Sequence, residues 1–350
     1  MRIIRPITLE STDLTLDLSD VPEAPPAAYN AGTTYAIDDR VSVFTGTTAL
    51  VYESKVGSNT GNTPASSPTQ WRYLATTYSV WDVGATYAAD DIVISTSTHH
   101  EYQSLAAGNT GNSLSDTTKW LDLGSNNRYR MFDQSNSSLT ENGQTIDVTL
   151  TVDGRADSVS LLNLLASSVQ IIMTTVADGE IFNQTYDLVS DSGITNWYEY
   201  FFEDVIRRGD LVVYDLPLNA DPTIQIIITD PNGTSSVGSC VVGQSRDIGL
   251  LVYGASTGIQ DYSRKVADEF GNFTIVQRAF SKKANFRIVV PNARVDALSA
   301  LFASYRAIPV VYVGVENFTS TWVYGFYKDF RFILSNVETA HLDLEVEGLT

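Results

Sequence analysis

The feature that constrains this chain most is a tandem repeat between residues 29 and 123. The motif NTGN occurs at 59–62 and again at 109–112, and an Asp-Asp pair occurs at 38–39 and again at 90–91. Self-similarity at a period of about 50 residues marks two copies of one structural unit. Two copies are too few for a solenoid, so they predict two small modules attached to a larger remainder. Four aromatic positions match between the copies: Tyr29 with Trp81, Tyr35 with Tyr87, Tyr52 with Tyr102, and Trp71 with Trp120.

Each copy has few apolar residues, mostly aromatic, set among Gly, Asn, Thr and Pro turn signals. This composition predicts small three-stranded β modules over residues 25–75 and 76–124. A unit of this size needs large rings to bury enough surface, because the single cysteine, Cys240, excludes an intramolecular disulfide. We therefore assign six rings to the module cores: Tyr35, Tyr52 and Trp71 in the first copy, and Tyr87, Tyr102 and Trp120 in the second.

The order of these residues resembles the small chitin-binding modules appended to bacterial chitinases. It runs from an aromatic residue and a Gly through Tyr, Asp and Val to a second Tyr and a terminal Trp. Members of that family generally carry exposed rings just after the second Tyr, which stack on sugar, but KVG at 55–57 and LAA at 105–107 stand there in this chain. The resemblance therefore implies the module fold with a weaker set of candidate carbohydrate-binding residues: Tyr29, Phe44, Trp81, His99 and His100.

The remainder of the chain carries mostly strand patterns. Residues 1–24 form an arm in which Leu14, Leu16 and Leu18 alternate with polar residues, as in a strand. The strand patterns of residues 125–245 predict a β-sandwich, and those of residues 246–350 predict a second sandwich with one helix. The expected fold class is therefore mainly β: tandem small three-stranded modules followed by two β-sandwich domains, the last flanked by one α-helix.

That helix is the clearest one in the sequence. Asn292 follows Pro291 and is placed to cap it. We expect the helix to lie across a sheet, because its apolar residues share one face. Those residues are Val295, Leu298, Leu301, Phe302 and Tyr305.

Two segments lack an evident partner in the sequence. The arm lies before the modules and has no neighbouring strand, so we expect it to dock on a later domain or on a neighbouring subunit. The aromatic run WYEYFF at 197–202 is either a ligand patch or, as we interpret it, the closure of one sandwich edge.

Composition argues against several classes of partner. The formal net charge is −19 and no basic run exceeds Lys282-Lys283, which disfavours nucleic acid and anionic membranes. No apolar stretch is long enough for a transmembrane helix, and MRIIRPITLES lacks the apolar region of a signal peptide. We expect a protein made in a cytoplasm, without membrane insertion, with Cys240 as a small core residue.

Catalytic constellations are scarce. The chain has three histidines, His99, His100 and His341, and no G-x-S-x-G motif accompanies them. The Asp-Asp pairs recur in both copies, and adjacent side chains point apart, so we interpret them as turn residues and not as glycosidase carboxylates. No motif indicates a cofactor or a metal site, and the sequence predicts no enzyme.

The C-terminal sequences PNARVDALSALFASYRAIPVVYVG and YGFYKDFRFILSNVETAHLDLEVEGL resemble the minor tail proteins of tailed bacteriophages. RIIRPITLESTDL at the start and NNRYRMFD after the modules are similar to phage virion proteins that carry the same small carbohydrate-binding-like insert. The resemblance implies a distal-tail or baseplate component of the virion, made in the host cytoplasm. Its implied partners are copies of itself in a ring and other tail proteins, with a host cell-surface glycan as a further candidate.

A second interpretation stays open at this point. The same repeats would suit a glycan-binding accessory protein of a polysaccharide-degrading enzyme system. Neighbouring tape-measure and hub genes would favour the phage interpretation, whereas neighbouring hydrolase genes would favour the accessory protein.

Overall fold

The chain folds as a mainly β protein, which confirms the expected fold class. The computed structural model places 54% of the residues in strands and 8% in helices, with one helix near the C-terminus. It describes residues 1–9, 13–190, 196–202, 206–267 and 269–349.

The N-terminal arm is built into the body of the same chain. It forms strands β1 (Arg2–Pro6) and β2 (Leu14–Ser19). β1 pairs antiparallel on one side with residues 243–247 and on the other with residues 311–313, so it lies inside a sheet. β2 pairs with residues 148–152. Of the two docking sites expected for the arm, the structure therefore shows the one on a later part of its own chain.

Each repeat forms a three-stranded antiparallel sheet and a separate two-stranded pair. The two copies match element by element, as the sequence period requires. The first contains β3 (Thr34–Tyr35), β4 (Arg40–Thr45), β5 (Thr48–Ser54), β6 (Asn59–Thr60) and β7 (Trp71–Tyr78), and the second β8 (Thr86–Tyr87), β9 (Ile92–Ser95), β10 (His100–Ser104), β11 (Asn109–Thr110) and β12 (Trp120–Ser125).

The next region builds a sandwich. A five-stranded sheet in the order β16-β15-β20-β13-β2 packs on β14, β19 and β21 of a second sheet. Ile146, Ile171 and Ile226 enter the shared core from the first sheet, and Leu161 and Val242 enter from the second. The elements are β13 (Thr140–Val152), β14 (Ser158–Leu162), β15 (Ser168–Thr175), β16 (Gly179–Asp187), β17 (Val189–Ser190), α1 (Trp197–Phe202), β18 (Ile206–Arg207), β19 (Asp210–Tyr214), β20 (Thr223–Val237) and β21 (Ser239–Asp247).

The last hundred residues add strands to that second sheet. They also contain helix α2, which follows a 3₁₀ turn at Asn292–Arg294. The elements are β22 (Leu250–Leu251), β23 (Ser256–Asp261), β24 (Arg264–Ala267), β25 (Phe273–Val276), β26 (Phe280–Pro291), α2 (Val295–Ser304), β27 (Val310–Val313), β28 (Trp322–Leu334) and β29 (Thr339–Gly348).

The second sheet has ten strands and runs through both predicted sandwich regions. Its order is β19-β14-β21-β1-β27-β28-β29-β26-β22, with β23 also paired to β26. The boundary expected at residue 245 falls inside β21. The sheet curls into a half-barrel, and an ion pair between Lys282 and Asp210 joins β26 to β19, the edge strand at the far end of the order. The last region therefore shares this curled sheet with the region before it.

Helix α2 lies on this sheet, as its apolar face predicts. Leu298 and Phe302 are buried, and Phe302 stacks on Phe330 with ring centroids 5.1 Å apart. Asn292 does not cap the helix, since α2 is preceded by Arg294 without a side-chain cap. The Asn292 amide instead donates to the backbone oxygen of Asn336 at 2.8 Å and so anchors the turn before β29.

Candidate functional site

The six rings assigned to the module cores lie in two buried clusters, one per repeat. Tyr35 accepts a hydrogen bond from the backbone N–H of Asn30 and donates to its carbonyl, and Tyr87 does the same with Asp82. The indole N–H group of the last tryptophan in each repeat also donates to a backbone carbonyl, and the two acceptors occupy equivalent positions in the repeats. Trp71 donates to Asn62 at 2.8 Å and Trp120 to Asn112 at 3.1 Å.

The repeated Asp and Asn residues are also part of this framework. Asp38 and Asp90 adopt positive φ angles of 67° and 69°, as turn residues do. The carboxylate of Asp39 accepts the backbone N–H of Ala36 at 2.6 Å, and that of Asp91 accepts the N–H of Ala88 at 2.7 Å. The Asp-Asp pairs therefore hold turns, and a paired general acid and base is not formed there.

The matched candidates Tyr29 and Trp81 pack against the two module cores. Tyr29 stacks on Tyr35 and meets Trp71 edge-on, each at 5.9 Å between centroids, and its hydroxyl is buried. Trp81 is half-buried against the second cluster. Phe44 is 41% exposed on β4, but it does not line the cleft that holds His99 and His100. The structure therefore does not bring the five candidates together.

The two histidines line a cleft of about 780 Å³ between the second repeat, the arm and the segment after the repeats. Two smaller depressions, of about 330 and 450 Å³, lie beside α2 and on the outer face of β26 and β29. The large cleft has a polar rim and an apolar floor. The rim includes Thr98, His99, His100, Ser125, Tyr129, Asp133, Gln134 and Ser135, and the floor includes Ile7, Leu9, Leu14, Leu16, Phe132, Val241 and Tyr324.

His99 is held in one orientation from two sides. Its Nδ1 lies 2.7 Å from Oε1 of Glu23, and its ring stacks on Tyr129 with centroids 3.9 Å apart. Its backbone has a φ of 60°, a conformation that few side chains adopt. The stacked pair presents a fixed aromatic edge to the cleft.

His100 and Asp133 occupy the other part of the rim. Nδ1 of His100 lies 2.9 Å from both carboxylate oxygens of Asp122. The Asp133 carboxylate accepts hydrogen bonds from the backbone N–H of Ser135 and the hydroxyl of Ser138, each at 2.7 Å. Burial nevertheless raises the pKa of Asp133. Both of its oxygens support a turn, so this carboxylate is not placed as a free base.

Neither Cys240 nor Tyr324, which both line the cleft, is a reactive nucleophile at neutral pH. Burial raises the pKa of the Cys240 thiol to about 12 and that of the Tyr324 hydroxyl to about 12. Both groups therefore stay protonated, and the thiolate that cysteine chemistry needs is not formed. Cys240 is buried, in agreement with its interpretation as a small core residue.

A buried carboxylate fixes the cleft walls to each other. Glu23, at the end of the arm, accepts a hydrogen bond from the Asn126 amide at 2.9 Å and lies 3.6 Å from Nη1 of Arg128. Its backbone oxygen accepts the hydroxyl of Thr77 in the first repeat. One residue thus links the arm, both repeats and the segment that follows them.

A second buried ion pair joins the second repeat to that segment. Nη2 of Arg130 lies 3.0 Å from both oxygens of Glu101. Burial raises the pKa of Glu101, and the attraction of Arg130 opposes this rise. The cleft is therefore a rigid feature of the fold, suited to binding by stacking and hydrogen bonds.

Sequence reasoning missed Glu23 and Tyr129 as members of this site. Glu23 lies in the Pro-rich stretch VPEAPP at 21–26, which by composition is typical of a stiff extended linker. Tyr129 belongs to the NNRYRMFD junction, whose spacing indicates no site. No local signal pairs either residue with His99, because the three come together only through the fold.

Comparisons with known proteins identify no relative: no family model, curated protein or solved structure matches the chain. Within the described residues, no group of three or more His, Cys, Asp or Glu side chains could hold a metal ion. In the same part of the chain, none of the helices has the length and apolar character needed to cross a membrane.

Proposed function

We propose that the protein is a structural component of a bacteriophage tail, from the distal tail or baseplate region. In this proposal it assembles into an oligomeric ring and presents its two carbohydrate-binding-like repeats to the host surface. The sequence resemblances support this role, and the mainly β architecture is compatible with it. The observation that carries the attachment function is the rigid cleft beneath the second repeat.

The lining of this cleft suits a sugar ring. Tyr129 and His99 offer a stacked aromatic edge, and the serines, Gln134 and the histidines supply hydrogen-bond donors and acceptors close by. Such a site binds weakly in one copy, since millimolar affinity corresponds to about −4 kcal/mol. A ring of copies would multiply the effective affinity without any new contact.

The glycan part of the proposal is tested with chitin-type N-acetylglucosamine oligosaccharides. Titration of the full-length protein, followed by NMR or calorimetry, should show weak binding that Tyr129→Ala abolishes. Tyr253→Ala removes an equally large but fully exposed ring far along the chain and should leave binding unchanged. Absence of binding by assembled protein, or full binding by Tyr129→Ala, would count against the cleft.

The tail part of the proposal is tested by electron microscopy. Antibodies against the protein should label the distal end of the tail of the phage that encodes it, and the purified oligomer should form annular particles. A protein that binds glycan as a monomer and labels no virion would instead support the accessory protein of a polysaccharide-degrading system.

A further inference from the structure

Strand β16 forms one edge of the five-stranded sheet of the sandwich. It pairs with β15 and, in the part of the chain that the structure describes, with no other strand. The aromatic run in α1 does not cover a sandwich edge, because its rings at Trp197, Tyr198, Phe201 and Phe202 are between 68% and 76% exposed. The interpretation of that run as an edge closure is therefore wrong.

The hydrogen bonds between β16 and β15 show which backbone groups of β16 point outward. The N–H of Leu188 donates to the carbonyl of Ser167 at 3.0 Å, which places Asp187 in a pair without mutual hydrogen bonds. Bonded and non-bonded positions alternate along an antiparallel pair, so the N–H and C=O groups of Asn183 and Thr185 also point away from β15. A row of such groups is a template for another strand.

The side chains of β16 do not protect this edge from pairing. Natural sheet edges usually carry charged residues, proline or a bulge. At the other edge of the same sheet, a bulge in β2 carries the exposed Asp17. β16 has a bulge only at its start, after Glu180, and residues 182–186 pair regularly with β15 and contain no charged residue, glycine or proline. β16 is therefore the less protected edge.

The sandwich core is also incompletely covered beside β16. Phe182 and Tyr186 lie opposite the buried Met173 and Val169 of β15. Both rings pack on the sandwich core, but each is only partly buried. Gln184 lies between them on the same face and is exposed. A further strand on this side would thus cover both rings.

The sequence of β16 is complementary to itself. A two-fold axis at Gln184 would set Asn183 opposite Thr185 of another copy, so that their outward backbone groups bond to each other. Phe182 then lies opposite Tyr186 in a pair without backbone hydrogen bonds, where opposed side chains are closest. Aromatic pairs in this position stabilise a sheet. An axis at Asn183 or Thr185 would keep the backbone bonds but would separate the rings.

We propose that two copies of the chain pair through their β16 edges about a two-fold axis at Gln184. The two sheets become continuous, and Phe182 and Tyr186 of both copies complete the cover of the two cores. The partner is a second copy because the strand itself supplies, at matching positions, the hydrogen-bonding groups and the rings that the edge lacks. A two-fold contact closes on two copies, so this inference goes beyond the proposed ring and does not depend on it.

Disulfide crosslinking of the full-length chain tests the pairing and its register. Opposed residues of a pair without mutual hydrogen bonds have Cα atoms about 4.5 Å apart, which a disulfide can span. Gln184→Cys should therefore form a covalent dimer under mild oxidation, seen on non-reducing gels. Asn183→Cys is the matched control, because its own counterpart lies diagonally across the axis and beyond the reach of a disulfide. Cys240 is buried and does not take part.

Hydrogen exchange tests the backbone contact without any substitution. As the protein concentration rises, the amide N–H groups of Asn183 and Thr185 should exchange more slowly, because pairing places them in hydrogen bonds. The N–H groups of Gln184 and Tyr186 already face β15 and should exchange at the same rate at every concentration. Residue-resolved mass spectrometry measures both sets.

Sedimentation velocity over a range of concentrations measures the association itself. The double variant Asn183→Lys, Thr185→Lys places lysines opposite each other across the axis and should raise the dissociation constant by about tenfold or more. The double variant Ser256→Lys, Thr257→Lys makes the same change on the exposed strand β23 of the other sheet and should associate like the wild type.

Three outcomes would overturn the inference. They are a wild type that stays monomeric at high concentration, a Gln184→Cys variant that crosslinks no faster than Asn183→Cys, and an Asn183→Lys, Thr185→Lys variant that associates like the wild type. The proposed function can fail separately, because loss of glycan binding and of tail labelling with this association intact would leave the β16 contact standing.

Discussion

At the scale of single residues, two carboxylates near the end of the arm, one buried and one half-buried, have different structural roles. Glu23 is 9% exposed and is surrounded by groups that donate to it or pair with it. Asp20, three residues earlier, accepts the backbone N–H of Asp147 at 2.8 Å and the hydroxyl of Thr145 at 3.1 Å. Glu23 thus links separate parts of the chain. Asp20 instead holds the chain to β13 at the point where it leaves β2.

Replacing Glu23 by Gln should lower the free energy of unfolding by about 2 kcal/mol, because His99 and Arg128 lose their charged partner in a mostly buried setting. Urea unfolding at pH 7 measures the change. Glu338→Gln removes an exposed carboxylate of the same size and should change stability by less than about 0.5 kcal/mol. Equal values for the two variants would show that the Glu23 contacts contribute nothing.

Asp20 should make stability depend on pH. Burial raises the pKa of Asp20 in the folded protein despite its two hydrogen bonds. A raised folded-state pKa contributes stability that is fully present below the ordinary carboxyl pKa and is lost as the pH rises through the folded value. The stability of Asp20→Asn relative to the wild type should therefore increase from pH 4 to pH 7.

Asp343 should give the opposite dependence of stability on pH. The hydrogen bond from Arg287, with a further one from Arg331, holds the pKa of Asp343 below its usual range. Its contribution is present above the unfolded pKa and is lost as the pH falls through the folded value. The stability of Asp343→Asn relative to the wild type, measured by urea unfolding, should thus increase as the pH falls from about 5 to about 2. A constant difference for Asp20→Asn would refute the assignment of that shift to burial.

At the scale of elements, the backbone of the first repeat packs directly on the backbone of β13 in the sandwich. A Cβ atom added to Gly143 in β13 would lie 2.2 Å from the carbonyl oxygen of Tyr73 in β7. No side chain can move aside to relieve such a contact. The module is therefore seated against the sandwich at a site where only glycine fits.

Gly143→Ala should consequently destabilise the protein by about 1–3 kcal/mol, as overpacking does. Gly57→Ala is the matched control, since a Cβ atom there meets nothing within 4 Å and its backbone angle is ordinary. Thermal unfolding of both variants measures the difference. If Gly143→Ala unfolded like Gly57→Ala, the repeat would not be seated on β13 in solution.

At the scale of the whole molecule, the arm holds the curled sheet together. β1 lies between β21 and β27, and Ile3 and Ile4 point into different cores on the two faces of the sheet. Without β1 the sheet divides into two parts with unpaired edges.

Deletion of residues 1–20 should therefore abolish cooperative unfolding of the body and yield aggregated protein. The experiment compares circular dichroism and thermal unfolding of the deletion with those of Arg2→Ala, which keeps the strand. A deletion that stayed soluble, with secondary structure intact, would show that β1 only supports contacts between copies.

The sequence by itself determined the features that depend on near neighbours. The period of the repeats and their aromatic positions predicted two matched modules, because each unit buries its rings within its own span. The alternation of Ile146, Val148 and Leu150 predicted a strand with one buried face, and the spacing of Leu298 and Phe302 predicted α2.

The tertiary structure alone decided which distant segments meet. Periodicity reports that a face is buried but not which strand lies beside it, since backbone hydrogen bonds between strands carry no residue identity. The insertion of β1 between β21 and β27 could not be predicted for this reason. The meeting of Glu23, His99 and Tyr129 depends on that same long-range pairing, which brings the arm to the junction after the second repeat.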